Sequence, residues 1–351
     1  MYIRSDKSRP GFTLVEVIVV ITILSILFAL AAGAVFRAQQ TAYDMKAGAE
    51  IQQIATGIEN FKQKYGVGYM PSQLVLKNAL WNYNTSIPIE RESKKFLLQM
   101  FPRIATQTNP GKPGEPTFIG WTGDNNPTSK ITLNGCECLV FFLGGRVIST
   151  GTTAAPFGFT SDPVNPWPDP TSATPSKQRG SVSFEFDVTR LMISPFNTPL
   201  SPINPATFVY LDSFASGQND MPYFYFSSYK SGNDYNPYGT DVVNGTSAQV
   251  VNPPASWTSI SPFQIAPFMN SQNLNNAQNR FHNPNGFQLI SAGKNKRVGN
   301  FQTLSTSPNR LNCIIWENGD FLTPANTPID RENEAGDDLS NFHGTKLGTP
   351  Q

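Results

Sequence analysis

The stretch RPGFTLVEVIVVITILSILFALAAGAVFRAQQ, residues 9–40, contains a nearly unbroken apolar run that decides how the rest of the chain is interpreted. As a helix with a rise of 1.5 Å per residue, residues 12–36 span about 38 Å, enough to cross a bilayer core of about 30 Å with some tilt. A secretory signal has a shorter apolar stretch, of about 7–15 residues, followed by a small-residue cleavage site. We therefore predict a transmembrane helix over 12–36 that stays in the mature protein.

The residues before the run predict its orientation in the membrane. Arg4, Lys7 and Arg9 precede it, and only Asp6 opposes their charge. Because positive charge is retained on the cytoplasmic side, the N-terminus is expected in the cytoplasm and the rest of the chain outside.

One carboxylate, Glu16, lies five residues inside the apolar run. An ionised side chain in the hydrocarbon of a bilayer costs about 2.5–3.5 kcal/mol or more, and such residues are usually functional. Either Glu16 lies near the interface, where it extends to water or is protonated, or a positively charged partner meets it in the membrane.

A short basic leader, the sequence G-F-T-L-V-E and an uninterrupted apolar helix together resemble the class III signal of type IV pilins and of the pseudopilins of type II secretion systems. The resemblance implies that a prepilin peptidase cleaves after Gly11 and N-methylates Phe12, so that residues 1–11 are a leader peptide. Cleavage creates an α-amino group at the end of the helix, and a neighbouring subunit, displaced along a filament axis, can bring its Glu16 to that amine. A buried pair of this kind sets register, because removing either partner leaves a charge without its counterpart.

The same resemblance implies partners and a location. The partners are other pilin or pseudopilin subunits, the prepilin peptidase, an inner-membrane assembly platform with its ATPase, and membrane lipid. The location is a single pass through the bacterial inner membrane with the head in the periplasm.

An amphipathic continuation of the helix is predicted over 37–65. One apolar stripe recurs at helical spacing, and the polar residues between its members are expected to face away from it. The stripe comprises Ile51, Ile54, Ile58, Phe61 and Tyr65, and the polar set comprises Lys46, Glu50, Gln53, Glu59 and Lys62. Gly66 follows the last apolar residue, so the helix is expected to end near Tyr65.

Residues 66–351 are predicted to form an α+β head with an antiparallel sheet, against which the helix packs, and with large loop insertions. Phe96, Leu97, Met100 and Phe101 fall at helical spacing. Runs rich in β-branched and aromatic residues predict strands at 136–143, 181–188, 207–212, 222–229, 286–291 and 311–319. The fold class is thus pilin-like: a long N-terminal helix on an antiparallel head.

Two features of the head leave alternatives open. Cys136 and Cys138 are either ordinary thiols in a buried strand, or one of them bridges to Cys313. Residues 233–285, rich in Asn and Pro, form a long excursion whose aromatic residues either make a contact patch or attach the loop to the head. Those aromatic residues are Trp257, Phe263 and Phe268.

The C-terminal region suggests a possible calcium site. Residues 287–299 and 336–342 are similar to the end of the major pseudopilin of type II secretion, where two loops hold calcium. The resemblance implies Asp337 and Asp338 as carboxylate ligands, with Leu289 and Ser291 contributing carbonyl or hydroxyl oxygens. The family usually has an aspartate-glycine pair where this chain has Asn295 and Lys296. The alternative is a solvated acidic turn.

Composition and motifs argue against two other functional classes. The formal net charge is +1 and there is no basic cluster beyond the first ten residues, so a nucleic-acid partner is not expected. The chain has 2 histidines and none of the common nucleophile, zinc or phosphate-binding motifs, so no enzymatic activity is expected. A pseudopilus subunit for protein secretion is favoured; the alternatives are a membrane-anchored surface binding protein, or a type IV pilin for adhesion or DNA uptake.

Overall fold

The computed structural model describes most of the helical N-terminal region and the core of the head. The described residues are 12–104, 108–109, 112–116, 119–124, 126–150, 153–162, 164–167, 181–197, 207–217, 220–229, 232, 234–235, 242–243, 246–247, 265, 267–270, 280–296, 298, 315–317, 320–322, 337–344 and 346–347.

The chain divides into two units, Met1–Met45 and Lys46–Gln351. Helix α1, Leu14–Tyr65, begins in the first unit and ends in the second. Within the described residues it is the one helix long and apolar enough to cross a membrane. In the first unit its large apolar side chains, from Leu14 to Phe36, are exposed to the surroundings, as expected for a segment that is solvated by lipid or by other helices.

The second half of α1 has one buried face, which confirms the predicted apolar stripe. Ile51, Ile54, Ile58 and Phe61 are buried, and Tyr65 is half-buried at the end of the helix. Gly66 follows with φ of +61°, a left-handed conformation that ends helices and suits glycine. The prediction for Glu50 was wrong, because Glu50 is buried on this face.

Among its described residues the head has two further α-helices. Helix α2, Pro88–Met100, includes the predicted Phe96, Leu97 and Met100. Helix α3, Gly135–Gly144, occupies the segment predicted as a strand over 136–143. Asn134 caps α3 and the Glu137 side chain bonds back to the Asn134 N–H, a capping box that starts a helix. All ten residues of α3 are buried. The helix therefore has no exposed polar face, and its sequence lacks the apolar and polar periodicity that indicates a helix.

The head contains seventeen short strands among its described residues. They are β1 Leu74–Lys77, β2 Thr108–Asn109, β3 Lys112–Pro116, β4 Lys130–Leu133, β5 Val147–Thr150, β6 Thr153–Pro156, β7 Leu191–Ile193, β8 Phe208–Tyr210, β9 Phe224–Ser227, β10 Val242–Val243, β11 Thr246–Ser247, β12 Met269–Asn270, β13 Arg280–Phe281, β14 Phe287–Ser291, β15 Ile315–Glu317, β16 Asp320–Leu322 and β17 Leu339–Ser340.

These strands form small sheets, almost all antiparallel. Five are two-stranded, one has the order β17-β14-β9, and one has the order β13-β12-β15-β16. Within the described strands, β12 with β15 is the one parallel pair. The long helix with small antiparallel sheets confirms the predicted α+β, pilin-like fold class.

The strand predicted over 181–188 is not present, although the described residues include all of it. The segment runs without a strand partner into a 3-10 helix, Val188–Arg190. The alternation of apolar and polar residues in this segment arises because Phe184 and Phe186 pack their rings on Tyr210. A Cβ on Gly57 of α1 would lie 3.1 Å from the Ser183 carbonyl oxygen, so the segment presses directly against the helix.

Candidate functional site

The N-terminus of α1 carries the residues predicted for processing and assembly. Gly11 lies outside the described residues, and Phe12, the predicted first residue of the mature chain, is 87% exposed. Thr13 stands immediately before the helix. Its backbone N–H and its hydroxyl each donate to Oε2 of Glu16, both at 2.8 Å. The Glu16 N–H donates in return to Oγ1 of Thr13 at 3.3 Å.

This reciprocal pattern is a capping box. Thr13 and Glu16 satisfy backbone donors that the first turn of a helix otherwise leaves without partners. Among the described residues, the carboxylate in the apolar run thus has hydrogen-bond donors from Thr13 but no cationic partner. Sequence reasoning missed Thr13, although the spacing T-x-x-E before an apolar run is a recognisable signal for this motif.

The other polar side chains of the apolar segment bond to their own helix. The Thr22 hydroxyl donates to the Ile18 carbonyl at 2.8 Å, and the Ser25 hydroxyl to the Ile21 carbonyl at 2.7 Å. Such hydroxyls are satisfied locally in an apolar environment. Glu16 differs, because its negative charge still requires a counter-charge when water is absent.

A second polar cluster surrounds Glu50 on the buried face of α1. Arg190 donates to its carboxylate through both terminal nitrogens, one of them at 2.8 Å from Oε2. The hydroxyls of Tyr210 and Tyr223 donate at 2.7 and 2.6 Å, and the Ser213 hydroxyl also donates. These donors fix the second half of α1 to β8, to β9 and to the segments beside them.

The cluster keeps Glu50 ionised. Burial by itself raises the pKa of Glu50, but the hydrogen bonds from Arg190, Ser213 and the two tyrosines outweigh it and lower the pKa from 4.5 to about 2. A carboxyl group whose pKa is lower in the folded chain than in the unfolded chain stabilises the fold at pH values above its ordinary pKa. The contribution of Glu50 is therefore present above about pH 4.5 and is lost as the pH falls through about 2.

The structure brings the predicted calcium residues close in the fold. Leu289 and Ser291 lie on β14, which pairs antiparallel with β17 through Ile290↔Ser340 and Ser291↔Leu339. Asp337 and Asp338 directly precede β17. Asp338 is fully buried, and burial raises the pKa of Asp337. The acidic residues upstream, Asp330, Glu332 and Glu334, lie outside the described residues.

The donor set does not fit a calcium ion as it is arranged. The Leu289 carbonyl accepts the Asn341 N–H at 3.2 Å, the Ser291 hydroxyl donates to Asp212 at 2.9 Å, and Asp337 Oδ2 accepts the Asn295 N–H at 2.8 Å. In the part of the chain that the structure describes, no group of three or more His, Cys, Asp or Glu side chains is placed to hold a metal ion. Calcium binding here stays a prediction from the resemblance, and the present contacts argue against it.

The remaining predicted residues lie in the core or outside the described chain. Cys136 and Cys138 are buried free thiols on α3, and burial raises the pKa of each well above its ordinary value. Cys313 lies outside the described residues, as do Trp257 and Phe263. Phe268 is fully buried, so it attaches the excursion to the head.

Comparisons with known proteins bear on the N-terminus alone. Neither the curated proteins nor the solved structures gave a match to the chain. Residues 6–32 match the family described as the prokaryotic N-terminal methylation motif. The matched range includes Gly11, Phe12, Thr13 and Glu16. The chain therefore carries the N-terminal motif of type IV pilin-like proteins that are processed by prepilin peptidase, on an apolar helix compatible with single-pass membrane anchoring.

Proposed function

We propose that this chain is a structural subunit of a type IV pilus-like filament, specifically of a type II secretion pseudopilus. Prepilin peptidase removes residues 1–11 and methylates the new N-terminal Phe12. The apolar half of α1 then packs with the same segment of other subunits, and the head faces the periplasm. An inner-membrane platform and its ATPase drive assembly, and the subunit itself catalyses no reaction.

The observation that carries this proposal is the environment of Glu16. Its carboxylate is held at the first turn of α1 by Thr13, at the end of the chain where cleavage would create an amine. No basic side chain of the described helix lies near Glu16: the first basic residue after it is Arg37, about 32 Å along the helix at 1.5 Å per residue. A neighbouring subunit's N-terminal amine supplies the missing positive charge.

Two features support a filament subunit rather than an anchored binding protein. An anchor needs only an apolar helix. The methylation motif would in addition serve processing, and Glu16 in the first turn would serve packing between subunits. The secretion role is favoured over DNA uptake because the chain is nearly neutral and has no basic cluster beyond its first ten residues. Adhesion as a surface pilin is the second candidate, since it shares the same N-terminal helix.

The proposal is tested by substituting Glu16 in cells that contain the processing and assembly machinery. Glu16→Val is expected to abolish filaments that can be sheared and sedimented. Ser25→Ala is the matched control, because it removes a polar group from the same apolar segment without changing the charge, and it should leave assembly intact. Normal filaments from Glu16→Val would contradict the proposal.

Mass spectrometry of the mature N-terminus tests the processing step separately. We expect a chain that begins with N-methylated Phe12. A purified protein that retains residues 1–11, in cells with an active prepilin peptidase, would overturn the proposed function as a whole.

A further inference from the structure

Three segments of the head meet beside the C-terminal strand pair of β14 and β17. The first comprises residues 212–217 and Asp220, the second is the turn 292–296 that follows β14, and the third begins at Asp337. The turn and the third segment are in close contact: a Cβ on Gly293 would lie 2.3 Å from the Asp337 carbonyl oxygen. The resemblance places a calcium ion among the corresponding loops.

Three acidic side chains, Asp212, Asp220 and Asp337, lie where these segments meet. Asp212 is 1% exposed, and its carboxylate accepts the Ser291 hydroxyl at 2.9 Å. The Asp212 N–H donates to the Met221 carbonyl at 2.9 Å, which brings Asp220, the residue before Met221, to the neighbouring stretch of chain. Carboxylates in this arrangement repel each other, so a cation between the segments stabilises the fold.

Lys296 supplies a positive charge at this place. Its ammonium group donates to Asp220 Oδ1 at 2.7 Å and to the Ser216 hydroxyl at 2.8 Å. The Lys296 and Asp220 side chains are 20% and 11% exposed, so the pair is largely shielded from water. Asp220 also accepts the N–H groups of Ser216 and Gly217, both at 2.8 Å. One ammonium group therefore connects the turn after β14 to Ser216 and Asp220.

The backbone at Lys296 has a conformation that suits glycine. Its φ is +57°, in the left-handed region of the backbone, which residues other than Gly, Asn and Asp rarely adopt. The family pattern has glycine at this position, whereas this chain places a lysine there and keeps the glycine-like turn. The contacts of the ammonium group give a reason for holding a long side chain in that conformation.

We propose that Lys296 replaces the calcium ion of the related loops, so that the head folds without bound metal. The ammonium group neutralises Asp220, and the Asn295 N–H binds the Asp337 carboxylate that would otherwise be a metal ligand. The fold of the head beside β14 and β17 is then independent of the calcium concentration in the periplasm. This inference goes beyond the proposed function and does not depend on filament assembly.

The first experiment measures thermal unfolding of the full-length protein in detergent, with excess calcium chloride or excess chelator. Tryptophan fluorescence reports on the head, because Trp121 and Trp167 are buried in its core. We expect the same Tm in both conditions, since a ligand that does not bind the folded state cannot stabilise it. A Tm that rises with calcium and falls with chelator would overturn the proposal, whatever the outcome of the Glu16 experiment.

The second experiment removes the charge. Lys296→Met is expected to lower Tm by about 2–4 °C, because Asp220 loses its cation. Lys294→Met is the matched control on the same turn, since Lys294 is exposed, and it should leave Tm unchanged. Equal Tm values for the two variants would overturn the role assigned to Lys296.

The third experiment restores the family pattern. The double variant Asn295→Asp with Lys296→Gly removes the internal cation, adds a carboxylate and gives the left-handed position to glycine. Purified in the presence of calcium, it should unfold at a higher Tm with calcium than with chelator. A double variant that does not respond to calcium would overturn the view that Lys296 occupies the place of a cation.

Discussion

The terminal nitrogens of Arg190 bond both carboxylate oxygens of Glu50, although 140 positions separate the two residues in the chain. Glu50 belongs to the N-terminal helix and Arg190 ends the 3-10 helix before β7. The bond therefore joins the second half of the N-terminal helix to the middle of the head. Tyr210 and Tyr223 complete the cluster from β8 and from the residue before β9.

Glu50→Gln is expected to destabilise the head by about 3–5 kcal/mol, because it removes the buried counter-charge of Arg190 and leaves only the more exposed Asp187, at 3.5 Å, as an acidic partner. Denaturant unfolding of the full-length protein in detergent measures the change. Glu59→Gln is the control, since Glu59 forms an exposed pair with Lys62 at 2.9 Å, and it should cost less than about 1 kcal/mol. Equal losses in the two variants would contradict the importance of the Glu50 cluster.

Asp212 predicts an opposite pH dependence. Burial raises its pKa from 3.8 to about 7, so the folded chain favours the protonated form. Its stabilising contribution is complete below about pH 3.8 and is lost as the pH rises through about 7. In Asp212→Asn, the free energy of unfolding should therefore fall less than in the wild type between about pH 4 and pH 7. Identical pH profiles for the two proteins would contradict this prediction.

Thr13→Val is expected to weaken assembly without preventing processing. It removes the hydroxyl that bonds Glu16 and the cap of α1, at a cost of about 0.5–2 kcal/mol of helix stability. Thr13→Ser retains the hydroxyl and serves as the control. The amount of sheared filament measures assembly, and mass spectrometry of the N-terminus measures processing. Wild-type filament yields from Thr13→Val would exclude a role for the hydroxyl.

Gly135→Ala is expected to destabilise the head by about 3 kcal/mol, because the packing of α3 on β9 leaves no room for a side chain. The added Cβ would lie 1.7 Å from the Tyr225 carbonyl oxygen, which is backbone and cannot move aside. Gly48→Ala is the control: no atom lies within 4 Å of its added Cβ, and alanine favours the helix by about 0.5–1 kcal/mol. Thermal unfolding should therefore move in opposite directions for the two variants.

The N-terminal helix could be predicted from the sequence because its signals are local. An apolar run of membrane length, a helical stripe from Ile51 to Tyr65 and a glycine at the end each report on a few neighbouring residues. The prediction for Glu50 failed because its partners lie 140 to 173 positions away, and no local pattern indicates them.

The errors in the head have a shared origin. Residues 136–143 are buried on every side of α3, so their sequence has no helical period of apolar and polar residues, and only the capping box of Asn134 and Glu137 indicated a helix. Residues 181–188 alternate like a strand, but the alternation reflects contacts of Phe184 and Phe186 with Tyr210 rather than pairing with another strand. Tertiary contacts decided both segments.

The distance in sequence between Glu50 and Arg190 also sets an order of events during biosynthesis. The chain is made from its N-terminus, so α1 emerges long before the residues that complete its buried face. Until Arg190, Tyr210 and Tyr223 have been synthesised, the Glu50 carboxylate lacks these donors, and the second half of α1 has no complete surface to pack on. We therefore expect the head of a newly made chain to complete its packing on α1 only after at least residue 223 has been synthesised.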